Sequence, residues 1–260
     1  MPRGGHIGWR WGPVAFGARR RRAALGGAVI LALFAGPLPA LAAYQGSVYS
    51  NWTAFNPCLG IVDSYPDKMR QEALAAFAGL GFAATSYTKT GFTEANVLAR
   101  TPADWAVYVH SHGDFYDGQA GFRADGGACS GSVVHASEIA TKRPSTQQTN
   151  LVVMSTCHLG ENISKNNMPS VYGIEKLKAS STGWRGPEFY LGYVGTTWDS
   201  DQWEFEVLFW DALAAGRSVG AAFDSALANG SYATSFDADW FGSYTYLGWP
   251  GPYSACSKCL

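Results

Sequence analysis

Residues 104–114 read DWAVYVHSHGD, an apolar run that closes on two histidines, a glycine and an acid. Trp105 to Val109 carry no charge and include two branched residues, the composition of a strand buried on both faces. A second stretch, NLVVMSTCHLG over 150–160, has the same build and closes on a cysteine, a histidine and a glycine. Strands of this kind belong to parallel sheets covered by helices, where reactive groups gather at the strand ends. The polar ends of these two stretches are therefore the first place to look for chemistry.

Working outward, strand and helix signals alternate. LGIVDS (59–64) is short and apolar and is expected as a buried strand. DKMRQEALAAFAGLGF (67–82) spaces Met69, Leu74, Phe77 and Leu80 at helical intervals and ends in glycine. Strands are expected at 82–88, 104–111, 150–157 and 188–197, with helices at 93–100, 170–180, 199–216 and 218–230. Residues 113–132 read as a polar, glycine-rich connection, and the aromatic tail after 236 has turn signals but no clear period. Alternation through five units predicts an α/β fold, a three-layer αβα sandwich around a mostly parallel sheet.

The two ends of the chain set the compartment. Arg19 to Arg22 precede an apolar stretch that is broken by Gly36, Pro37 and Pro39 and ends in Ala40-Leu41-Ala42. That is the layout of a cleaved export signal over residues 1–43, leaving a single domain over 44–260 with no stable membrane anchor. The removed segment holds six arginines and no acid, so the remainder carries 13 basic against 20 acidic residues, a net charge of −7. Such a surface repels phosphate backbones and disfavours nucleic acid as a partner. A secreted or extracytoplasmic chain is expected to pair its cysteines, and five of them leave one thiol over. Which of Cys58, Cys129, Cys157, Cys256 and Cys259 is the free one is open at this point, and the connectivity of the paired four is unassigned.

Cys157 leaves a buried strand beside Gly160, well placed to present sulfur to a cleft, although a buried core thiol has the same signature. A nucleophilic cysteine needs a base nearby, and His112 supplies one if the two strands are neighbours. Gly113 lets the backbone turn and offers an unobstructed N–H to a developing oxyanion. His110 and His158 read as packed or loop histidines. No cofactor is expected, and a calcium requirement is left open.

Taken together, WAVYVHSHGD (105–114), LVVMSTCHLGEN (151–162) and the segment 190–230 resemble the caspase-like cysteine peptidases. The gingipain and CHAT-type bacterial members are the most similar. The resemblance implies a caspase-haemoglobinase-like fold and an endopeptidase acting on peptide or protein substrates. Cys157 would form the thioester, His112 would move the protons, and the N–H groups of Gly113 and Cys157 would hold the oxyanion. Asp199 and Asp201 begin a helix, where acids favour the dipole. Members that cut after basic residues carry an acid in this region, so both are candidates for binding arginine or lysine.

Two other readings remain open. HSHGD matches the first half of the H-x-H-x-D-H motif of zinc hydrolases, with Cys157 and His158 as further ligands. Phe115 stands where that motif has its final histidine, and no histidine follows His158. The third reading is a catalytically silent exported binding module on the same fold.

Overall fold

The computed structural model describes residues 44–52, 55–56, 60–124, 131–143, 149, 151–160, 167–172, 189–230 and 237–242. The proposed leader, the cysteines at 58, 129, 256 and 259, most of the helix expected over 170–180 and the tail beyond 242 lie outside the described residues. The described residues form one compact unit.

The elements run β1 (Gln45–Ser50), β2 (Phe55–Asn56), β3 (Ile61–Val62), α1 (Tyr65–Gly79), β4 (Ala83–Thr88), α2 (Glu94–Arg100) and β5 (Asp104–His110). A hairpin follows, β6 (Gly113–Tyr116) and β7 (Gln119–Arg123), then β8 (Val133–His135), α3 (Ala136–Lys142) and β9 (Leu151–Ser155). The remainder is α4 (Met168–Val171), β10 (Phe189–Val194), α5 (Asp199–Ala214), α6 (Val219–Asn229) and β11 (Asp237–Gly242). Among the described residues the main sheet has the order β11-β10-β9-β5-β1-β4. Every pairing is parallel except that of β11 with β10.

Side-chain alternation splits the core into two layers. Val48, Tyr108, Val153 and Tyr193 face one way and pack with Phe77 of α1, Phe205 and Trp210 of α5 and Phe223 of α6. Tyr49, Val107, Val109 and Met154 face the other way, toward Val97 of α2, Ile139 of α3 and Met168 of α4. Helices thus cover both faces, the three-layer αβα arrangement the alternation predicts. Helix ends follow local chemistry: the Thr93 hydroxyl accepts from the Asn96 N–H at 3.1 Å, and Ser218 accepts from Ala221 at 3.2 Å.

Two expectations are corrected. The stretch 59–64 is no buried strand; Ile61 and Val62 make a two-residue pairing with Phe55–Asn56, and Val62 is 86% exposed. The strand that does enter the sheet is QGSVYS, 45–50, lying between β4 and β5. Its serines mask it in the sequence, yet both are buried and bonded: Arg100 donates to the Ser47 hydroxyl at 3.3 Å, and Ser50 donates to the Trp52 carbonyl at 2.8 Å. The connection expected at 113–132 is corrected too: its residues 113–116 and 119–123 form β6 and β7, which join β8 in a separate antiparallel sheet.

Candidate active site

In a parallel sheet the strands deliver their C-terminal ends to one edge. The chain leaving β1, β5, β9 and β10 lines one cavity of about 330 Å³ there. Trp52 follows β1, Ser111 and His112 follow β5, Cys157 follows β9, and Thr196 to Asp199 follow β10. Asp63 and the exposed Ile61 and Val62 wall it from the small pairing before α1. The register between β5 and β9 sets His110 opposite Ser155. His112 and Cys157 each lie two residues further along, so equal offsets carry both to the same cavity wall.

Gly113 fixes how close these two ends come. A Cβ at this position would meet the Cys157 carbonyl oxygen well inside contact distance and the Thr156 Cβ at 2.9 Å. Only glycine lets the start of β6 lie against the Cys157 turn. Gly160 and Gly192 make a second such approach, with the Gly160 N–H donating to the Tyr193 carbonyl at 2.7 Å. His158, beside the sulfur, sits at φ 63°, an unusual conformation for a residue with a side chain. Its N–H donates to the Gly195 carbonyl at 2.9 Å, and its ring lies 6.1 Å from that of Phe115.

Cys157 is a free thiol. The Thr197 N–H reaches its Sγ at 3.4 Å, and the Thr197 carbonyl lies 3.6 Å away. Burial pushes the thiol up from its ordinary range, the Thr197 backbone works against this, and the charges of Asp199 and Asp114 add to the rise. Burial pushes His112 down, and the Arg123 guanidinium pushes it further the same way. Both shifts favour the uncharged forms, a thiol and a neutral imidazole. The backbone around His112 is held firmly: Arg123 N–H donates to the His112 carbonyl at 2.9 Å.

Two carboxyls sit on the same cavity wall. Asp63 accepts from the Tyr65 N–H at 2.9 Å. Burial and then a hydrogen bond with Asp199 push Asp63 up to about 6. Asp199 is raised by burial, with its bond to Asp63 acting in the opposite direction. Below them is His110, 1% exposed, with Nε2 3.8 Å from Asp199 and Nδ1 3.2 Å from the Ser155 hydroxyl. Burial drives His110 down to about 3, so it is a neutral packed histidine, as strand parity predicts.

His112, Cys157 and Asp199 thus share one cavity, with Gly113 packed against its back. Asp201 does not join them; it is 1% exposed on α5 and absent from the cavity wall. Nor does the zinc reading gain a site: among the described residues, no three His, Cys, Asp or Glu side chains are grouped to hold a metal. Sequence reasoning missed Asp63 and Trp52. Asp63 ends a segment misread as a sheet strand, and Trp52 follows a strand that was not read as one. The serines of QGSVYS left the strand before Trp52 without an apolar signal, and nothing in 59–64 marked Asp63 as a cavity residue.

No family model matches the chain, and no curated protein matches it. Solved structures do. The Arg-specific cysteine proteinase gingipain R aligns at TM-score 0.47 and 11% identity over 71% of this chain, which spans 41% of that chain. The Drosophila initiator caspase Dronc aligns at TM-score 0.46 and 10% identity, covering 77% of this chain and 80% of its own. A Geobacter sulfurreducens protein, GSU0716, aligns at TM-score 0.43 and 15% identity, covering 80% and 94%.

Proposed function

We propose that this chain is an exported cysteine endopeptidase that cuts after basic residues, with Cys157 as nucleophile and His112 as its base and acid. One observation carries the reading: the ends of adjacent parallel strands bring a free thiol and an imidazole to one cavity that also holds two carboxyls. An arginine or lysine side chain would place its cation against Asp199 and Asp63, with its stem along the apolar wall of Ile61, Val62 and Trp198.

The resting state makes His112 a general base. As the sulfur bonds to the scissile carbonyl carbon, its proton passes to His112, and the carbonyl electron pair moves onto oxygen. The N–H groups of Gly113 and Cys157 would receive that oxyanion. Collapse of the intermediate breaks the C–N bond, His112 returns its proton to the leaving amine, and a thioester remains. Water, deprotonated by His112, then attacks the thioester carbon and releases the acid and the thiol. Export follows from the leader read in the sequence; no helix among the described residues is long and apolar enough to cross a membrane.

A panel of fluorogenic peptides differing in the residue before the cut tests the reading. Cleavage of arginyl or lysyl peptides, abolished in Cys157→Ala and in His112→Ala while both variants stay folded, is the expected result. Hydrolysis by either variant would refute the pair. No cleavage of any peptide, with Cys157 unreactive toward iodoacetamide, would favour the silent binding module.

A further inference from the structure

Catalytic imidazoles need their rings held, commonly by a hydrogen bond to a carboxylate or amide. Among the described residues no hydrogen bond to the His112 ring is found. What touches it is Trp52, whose ring centroid lies 5.0 Å away at an interplanar angle of 47°. The same indole meets His110 edge-on at 5.6 Å. Trp52 is 3% exposed and follows the end of β1, so it enters the cavity wall as a wedge between the two histidines.

The wedge is itself well anchored. The Asn51 N–H donates to the His110 carbonyl at 3.1 Å, continuing the β1–β5 ladder one residue past the strand. Asn51 Nδ2 donates to the Ser111 hydroxyl at 3.0 Å, and Ser111 donates in turn to the Arg123 carbonyl. The Ser50 hydroxyl bonds the Trp52 carbonyl. The backbone on either side of the indole is thus tied to the strand end that carries His112.

We infer that Trp52 is a positioning residue, its aromatic face setting the orientation of the His112 ring toward Cys157. This rests on the cysteine-peptidase reading above. An indole face offers a broad flat contact and little rotamer freedom, so a ring packed on it is restricted without any acceptor. Misplacing a catalytic base by as little as 1 Å costs on the order of a hundredfold in rate.

The test uses the full chain with Trp52→Phe and Trp52→Leu. Leucine has no aromatic face and leaves a smaller cavity than alanine would, and urea unfolding of each variant checks that it is folded. On a peptidyl-arginine aminomethylcoumarin substrate, Trp52→Leu should lower kcat by roughly ten- to a hundredfold with KM little changed. Trp52→Phe should recover most of that loss. A second readout is the rate of Cys157 alkylation by iodoacetamide. Trp52→Leu should slow it at neutral pH, where His112 takes the proton, but not near pH 10, where solvent hydroxide makes about as much thiolate in every variant.

The titratable and charged groups around the ring are Arg123 on β7, His110 on β5, and Cys157, Asp63 and Asp199 across the cavity; the Trp52 variants leave these residues in place, and Phe and Leu alike lose the indole N–H contact that holds the Asp199 carboxyl down, so the comparison of the two variants is free of it. Wild-type kcat in Trp52→Leu, a Phe variant as poor as Leu, or parallel slowing of alkylation at both pH values would each overturn the inference. Cys157→Ala and His112→Ala run in the same assay separate the two failures. If either variant hydrolyses substrate, the dyad reading falls. If both are dead while Trp52→Leu is unimpaired, only the role of Trp52 falls.

Discussion

Glu206→Gln probes the core beneath the cavity. Glu206 projects from α5 with no exposed surface and accepts hydrogen bonds from Tyr108 at 2.8 Å and Tyr193 at 3.2 Å. Both tyrosines come from the sheet, on β5 and β10. Burial pushes the carboxyl up from 4.5 to about 7, with the tyrosine bonds only partly offsetting it. Between those two pH values the folded chain keeps a proton that the unfolded chain has released. Its contribution is therefore fully present below about pH 4.5 and is lost as pH rises through about 7. At about 1.4 kcal/mol per pH unit the loss comes to roughly 3 kcal/mol.

Glutamine keeps the shape and never ionises. Urea unfolding, followed by tryptophan fluorescence at pH values from about 4.5 to about 9, gives the stability of each chain at each pH. The gap between variant and wild type should be small at the acid end and favour glutamine by about 3 kcal/mol at the alkaline end. Taking the gap cancels the contributions of Asp63 and His110, which are present in both chains. A gap that stays flat with pH, or that widens toward acid, would show that Glu206 is not a buried neutral acid.

Gly113→Ala should hurt both fold and reaction. The added Cβ must displace the Thr156–Cys157 turn, costing roughly 1–3 kcal/mol of stability and moving the sulfur, so kcat should fall by at least about tenfold; a variant with wild-type kcat would mean that the close approach is unimportant. The Asp63 carboxyl, raised to about 6, predicts that kcat/KM for arginyl peptides falls as pH drops through about 6, because protonation removes the charge that meets the cation. In Asp63→Asn the acid limb should move to lower pH, where protonation of the general base His112 sets it, and KM should rise; a limb unchanged in the variant would assign it to another group.

What the sequence revealed and what it hid have the same physical origin. β5 and β9 are buried on both faces, so WAVYV and LVVM advertise themselves by hydrophobicity alone, and their ends gave His112, Gly113 and Cys157. β1 is equally buried but reaches that state by hydrogen-bonding its serines to Arg100 and the Trp52 carbonyl, which no apolar pattern records. Losing β1 also lost Trp52, since a residue just past an unrecognised strand has no evident place to go. Asp63 failed differently: GIV looks like a strand by composition, but it sits exposed on the cavity rim. Asp201 was named beside Asp199 because both open the helix where the resembling family carries an acid, and helix geometry separates them, turning one to the cavity and the other inward.

The order of the strands has a bearing on timing. β1 enters the sheet between β4 and β5, and β9 then docks on the far side of β5 after an intervening hairpin and helix. Neighbours in space are far apart along the chain, a pattern that slows folding because long loops must close before their contacts repay them. His112 and Cys157 meet only when β9 has joined β5, and Trp52 arrives only with β1. A chain caught midway, with its hydrophobic strands still exposed to other unfolded polypeptides, would hold the reactive parts in separate places. Late closure of the sheet would thereby keep the thiol and the imidazole apart until the last strand is in.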